Sequence, residues 1–167
     1  MKTIHYMSLT ADGHVVRAET MGGIPPAILA DFMGHVAQAG ALIIGRRTYN
    51  LFQGLGAISS IPGVVVVIST SLAGDTEGVS VARSASEALE VVLSRGGAAA
   101  VVGGGPEIYS LFLTEGLIDG LVLNIVPAMD GVGLTIATAA PAMLALRLTG
   151  VSELDGGVAQ LRYDREG

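Results

Sequence analysis

Ala98-Ala99-Ala100-Val101-Val102-Gly103-Gly104-Gly105-Pro106-Glu107-Ile108-Tyr109 is the stretch on which the fold turns. Its five small or β-branched apolar residues form a run suited to a strand buried on both faces, and three glycines stop that run. Pro106 suits the first position of a helix, so the segment reads as strand, tight loop, helix. Backbone N–H groups at such a helix start point beyond the strand end, where a pyrophosphate fits, although the same glycines also serve a close turn that binds nothing. The spacing is not the dinucleotide fingerprint of the doubly wound fold, because Ile108 stands where the third glycine belongs. Nor does it end in the Gly-Lys-Ser/Thr of a phosphate loop.

Two other strand ends repeat the pattern. Ala41-Leu42-Ile43-Ile44 stops at Gly45-Arg46-Arg47-Thr48-Tyr49, and Val64-Val65-Val66-Val67-Ile68 stops at Ser69-Thr70. Two guanidiniums and a hydroxyl at a helix start hold a phosphate by charge and by directed hydrogen bonds. Three such loops along one sheet edge imply a groove for a dinucleotide.

Outward from these loops, extended and helical patterns alternate. Strands are expected at 3–9, 41–45, 63–69, 79–82 and 98–102, with a short extended piece at 14–18 beyond the turn Thr10-Ala11-Asp12-Gly13. Helices are expected from Pro25-Pro26 onward and at 46–53, 84–94 and 106–114. In the first of these Ile28, Phe32 and Val36 form an apolar stripe, supported by Leu29 and Met33, opposite Asp31, His35 and Gln38. Alternation of this kind implies a largely parallel sheet. From Leu117 the pattern becomes antiparallel: extended segments at 118–129, 146–153 and 157–163, the last two joined through Asp155-Gly156-Gly157.

The 167 residues suit a single domain, 1–167, with one core. Half are apolar but only 4% are aromatic, so Val, Leu, Ile and Ala fill that core. A formal charge of −6, with no basic stripe interleaved with aromatics, argues against nucleic acid and for small-molecule partners. Cysteine is absent, so no disulfide framework or thiol nucleophile exists, which fits the cytoplasm. No apolar run approaches the about 18 residues of a membrane span, and the start lacks a signal-peptide core. His5, His14 and His35 show no metal-ligand spacing, and no metal is expected. His5 on the first strand reads as a satisfied core or edge histidine and not as a ligand.

Met7-Ser8-Leu9-Thr10-Ala11-Asp12-Gly13, Gly45-Arg46-Arg47-Thr48-Tyr49, Val101-Val102-Gly103-Gly104-Gly105-Pro106-Glu107-Ile108-Tyr109, Gly116-Leu117-Ile118-Asp119, Pro127 and Gly131-Val132-Gly133 occur in this order along the chain. Together they resemble the dihydrofolate reductase-like superfamily, in the branch containing the reductase domain of riboflavin biosynthesis. The resemblance covers essentially the whole chain. It implies an α/β three-layer fold, with a mixed, mostly parallel sheet of about eight strands flanked by helices. It further implies an oxidoreductase in which NADPH lies across the strand ends and gives a hydride to a small nitrogen heterocycle, an imine or a ribosylamino-pyrimidine.

Carried over, Gly45 would belong to the cofactor-binding set, Arg46 and Arg47 would sit near the adenosine 2′-phosphate and Thr48 near the pyrophosphate. Ser69 and Thr70 would lie near the adenosine half, and Gly103, Gly104, Gly105, Glu107 and Ile108 beneath the pyrophosphate and nicotinamide. Asp12 would belong to the loop over nicotinamide and substrate. Asp31 falls roughly where dihydrofolate reductases carry the carboxylate that holds the pterin and supports protonation. An exposed Asp31–His35 charge pair is the competing reading. Tyr49 and Tyr109 would pack beside the groove. A pterin reductase using Asp31 and a non-catalytic NADP(H)- or ligand-binding protein are the alternative functions. Homodimers are common in this branch, and the apolar C-terminal strands could supply their interface.

Overall fold

The structure, a computed structural model, describes residues 1–17, 23–76, 78–136 and 143–167. Among these, eight strands form one sheet: β1 (Lys2–Thr10), β2 (Ala41–Gly45), β3 (Val64–Ile68), β4 (Ser80–Ala82), β5 (Ala99–Val102), β6 (Gly120–Val126), β7 (Leu146–Leu154) and β8 (Val158–Arg165). Four α-helices flank it: α1 (Pro26–Ala39), α2 (Arg46–Gly54), α3 (Ala85–Ser94) and α4 (Pro106–Thr114). The strand order is β4-β3-β2-β5-β1-β6-β8-β7. All neighbours from β4 to β6 are parallel, while β8 runs antiparallel to both β6 and β7.

The apolar runs at 41–45, 64–68 and 99–102 become central strands because helices cover both sheet faces. Ile28, Phe32 and Val36 of α1, with Tyr49 and Phe52 of α2, pack on one face against Leu42, Ile44, Val65, Val67 and Val101. Ala85, Ala88 and Val92 of α3, with Ile108, Tyr109 and Phe112 of α4, cover the other against Ile43, Val66, Ala100 and Val102. Connections that step toward β4 carry α1 and α2, and those that step back carry α3 and α4. Right-handed crossovers require that segregation.

A consequence follows for ligand binding. β1 leads into α1 on one face while its neighbour β5 leads into α4 on the other. Connections that diverge in this way open a crevice beyond the carboxyl ends of the two strands.

Two expectations change. Of the extended piece at 14–18, Val15 makes only an isolated bridge to Leu9, because the chain turns back across the end of β1 without joining the sheet; Ala18 lies outside the described residues. Asp31 and His35 do not form an exposed pair. Their Oδ2 and Nε2 atoms are 3.6 Å apart, but the side chains are 26% and 20% exposed, since this side of α1 lies over β1 and β8.

Candidate functional site

The crevice holds a cavity of about 320 Å3. Its floor is Tyr6 to Leu9 of β1 and Gly103 to Gly105 after β5, and Ile28, Leu29 and Phe32 of α1 form one side. Arg47, Thr48, Leu51 and Phe52 of α2 form another, with Leu134 and Ile136 closing it from the segment after β6. Such a lining suits a flat, partly apolar ring oriented by few polar groups.

Of the residues singled out in the sequence, Arg47, Thr48, Gly103, Gly104 and Gly105 line this cavity. Gly45 lies directly behind, its N–H donating to the Gly104 carbonyl at 2.8 Å. A Cβ at Gly45 would stand 2.8 Å from Ile108 Cγ1, so Ile108 packs against the glycine backbone instead of lining the cavity. Gly104 has φ +94° and is joined to Gly105 by a cis peptide. The Tyr109 hydroxyl comes close to Gly104 and donates to the Tyr6 carbonyl at 2.5 Å. Burial holds that phenol protonated well above the usual tyrosine range. Around Gly105 the space where a side chain would project is open. Glu107 is exposed on the first turn of α4, outside the cavity lining.

A second polar cluster stands at the ends of β3 and β4. Ser69, buried, accepts the N–H groups of Ser71 and Leu72 through its Oγ, each at 3.2 Å, which folds residues 69–72 into a tight hydroxyl-capped turn. Arg46 donates to the Ser71 hydroxyl. Arg83 donates to the carbonyls of Ser69 and of Leu72, the latter at 2.6 Å. Thr70 is exposed on the same turn. Two guanidiniums among three hydroxyls form a donor set suited to a phosphate monoester. Ser71 and Arg83 escaped the sequence reading because only the β3–β4 register, Ile68 beside Ala82, brings residue 83 to the turn.

The two carboxylates stand apart from the cavity lining. Asp12 accepts from Thr10 Oγ1 at 2.6 Å, from the Gly131 N–H at 2.8 Å and from the Asp130 N–H at 3.2 Å. The Thr10 hydroxyl first, and then the Gly131 N–H, hold its carboxyl well below the usual carboxylate range. His14 Nδ1 lies 3.2 Å from Asp12 Oδ2. Asp31 accepts from the Tyr6 hydroxyl at 2.9 Å and from Gln160 Nε2 at 2.8 Å. Burial, then the bond to Asp31, keep the Tyr6 phenol protonated far above its ordinary range.

No family model matches the chain, and no curated protein matches it either. Solved structures do. A protein of Shewanella sp. PV-4 assigned to riboflavin biosynthesis superposes with a TM-score of 0.81 at 18% identity, covering 100% of both chains. A pyrimidine reductase-like protein of Corynebacterium diphtheriae gives 0.73 at 14% identity, over 99% of this chain and 92% of that one. The fold is dihydrofolate reductase-like. RibD of Acinetobacter baumannii, also at 0.73 and 18% identity, matches 99% of this chain, which spans 58% of that longer protein. In this dihydrofolate reductase-like fold the cavity and the phosphate-suited cluster share one edge of the sheet, at the carboxyl ends of β1, β5, β2 and β3.

Proposed function

We propose that this chain is an NADPH-dependent reductase that transfers a hydride to a small nitrogen heterocycle, imine or ribosylamino-pyrimidine. The observation that carries the reading is the divergence of two consecutive arginines at the head of α2. Arg47 lines the ring-sized cavity, while Arg46 reaches Ser71 in the phosphate-suited cluster. A dinucleotide with a 2′-phosphate needs both ends served at once.

In this reading Arg46, Ser69, Thr70 and Ser71 hold the 2′-phosphate, and Arg83 holds the turn that presents them. Arg47 and Thr48 take the pyrophosphate. Gly103 to Gly105 leave room for the nicotinamide half, as the open space at Gly105 supports. NADPH supplies the hydride. The chain supplies orientation and exclusion of water, which account for much of the barrier reduction in such transfers. Among the described residues that line the cavity there is no carboxylate and no imidazole. A pterin reductase would need Asp31 in the cleft, and its Oδ2 instead faces Tyr6 and Gln160.

Calorimetric titration with NADPH and NADH, repeated on Arg46→Ala, tests the reading. A preference for NADPH that is lost in the variant supports it. Failure of both dinucleotides to bind overturns it.

A further inference from the structure

A row of polar side chains crosses the apolar sheet beneath α1. Ser8 of β1 stands beside Asn124 of β6, Asn124 beside Gln160 of β8, and Gln160 beside Ser152 of β7. Asn124 and Gln160 are fully buried, so their amides must find partners inside the protein. Each does, and the partners fix which way each amide points.

The polarity starts at Asp31. Its Oδ2 accepts from the amide nitrogen of Gln160 at 2.8 Å, which fixes the Gln160 flip. That nitrogen's other hydrogen goes to Asn124 Oδ1 at 3.0 Å. Asn124 therefore turns its own nitrogen toward β1, where it donates to the Met7 carbonyl and to Ser8 Oγ, each at 3.3 Å. Ser8 Oγ is thus an acceptor within the sheet. Its own hydrogen has no acceptor among the described residues, and Ser8 lines the cavity.

We infer that Ser8 is a substrate-reading residue whose hydroxyl donates to a carbonyl oxygen on the ring bound in the cavity, with Asp31, Gln160 and Asn124 acting behind it as positioning residues. In a water-excluding site a hydroxyl aimed this way favours a ring acceptor and discriminates against a ring presenting only hydrogen there. The inference rests on the reductase reading for the identity of the cavity as a substrate site. It assigns Asp31 an orienting part exerted from outside the cleft.

The test is calorimetric, on the NADPH-loaded protein, with 5-aminouracil and with 2,4,5-triaminopyrimidine, whose amino groups stand where the carbonyls were. Ser8→Ala is expected to lower 5-aminouracil affinity about tenfold and to leave the triamino ring unchanged, as expected for one lost hydrogen bond. Ser8→Thr, which keeps the hydroxyl, is expected to retain the affinity. Asn124→Asp lets the Ser8 hydrogen turn back to a carboxylate, and is expected to reproduce the loss although Ser8 is intact. Equal affinity of wild type and Ser8→Ala for 5-aminouracil, or no binding of that ring to the wild type, overturns the inference. NADPH titrated alone reports separately on the parent reading.

Discussion

Asp12 and Gly131 are 119 residues apart in sequence, yet the Gly131 N–H donates to Asp12 Oδ2 at 2.8 Å. Around this bond the turn after β1 is stitched to the segment after β6. Ala11 N–H donates to the Ala128 carbonyl at 2.7 Å, Val15 N–H to the Leu134 carbonyl at 2.8 Å, and Arg17 pairs with Asp130 at 3.1 Å. Leu134 and Ile136, which close the cavity, hang from that seam. Asp12→Ala should therefore weaken a ring ligand such as 5-aminouracil about tenfold, by releasing the wall, while NADPH affinity changes less than about twofold. Parallel titrations check this. Because its carboxyl is held below the usual range, Asp12 stays ionised as pH falls through 4 and itself adds no titration to ring binding there.

Arg83 makes no contribution to the cavity but grips two carbonyls of the Ser69–Leu72 turn. A planar fork spans two acceptors in a way that an ammonium does not. Arg83→Ala should weaken NADPH by about tenfold through a loosened turn, and Arg83→Lys should fail to restore it, although the charge is kept. NADH, lacking the 2′-phosphate, should be affected less. Equal losses for the two dinucleotides would remove the 2′-phosphate from this turn.

What was legible in the sequence is what is encoded locally. The stops at Gly45, Ser69 and Gly103 mark strand ends because the residues themselves change character there, and parallel strands then bring those ends to one edge. The Asp155-Gly156-Gly157 hairpin is equally local, with φ of +86° at Gly156 and +74° at Gly157. Contacts set by register were not legible. Asn124 sits in an apolar strand with nothing nearby in sequence to explain it, and only its pairing with Ser8 and Gln160 gives it a purpose. Asp31 stands out in the sequence by its type and rough position, but which way it faces depends on how α1 packs over β8. The nearest signal for such a row is a lone amide inside an otherwise apolar strand, as in Leu123-Asn124-Ile125.

Gly104 combines a left-handed φ of +94° with a neighbour in the way: a Cβ there would meet the Tyr109 hydroxyl at 2.7 Å. Both penalties fall on the same substitution, so Gly104→Ala should cost about 3 kcal/mol of stability. Tyr109→Phe removes the nearest obstructing atom, leaving ring Cζ at 2.9 Å, but also removes the 2.5 Å bond to the Tyr6 carbonyl. The double variant should consequently be less destabilised than the sum of the two single ones, a coupling that denaturant melts of all four proteins would measure. Simple additivity would show that the hydroxyl does not obstruct the added methyl.

His5 is fully buried on β1, with its ring 5.5 Å from that of Tyr109 and 5.4 Å from that of Phe112. Neither ring nitrogen has a hydrogen-bond partner among the described residues, so it is not the satisfied core histidine expected from sequence. Burial lowers its pKa from the ordinary 6.5 to about 4, with the Asp119 charge opposing only in part. Above pH 6.5 the imidazole is neutral folded or unfolded, and no pH dependence arises. Between pH 6.5 and 4 the unfolded chain takes up a proton that the folded one refuses, so stability falls as pH falls. The gap between 6.5 and about 4 corresponds to about 3 kcal/mol lost by pH 4, below which the slope from this group dies away. Asp12, with its depressed carboxyl, adds its own loss only below the usual carboxylate range, which separates the two windows. His5→Leu should flatten the profile between pH 6.5 and 4 and leave the protein more stable than wild type at pH 5. Urea melts at half-unit intervals would show it, and an unchanged slope in the variant would assign the acid sensitivity to other groups.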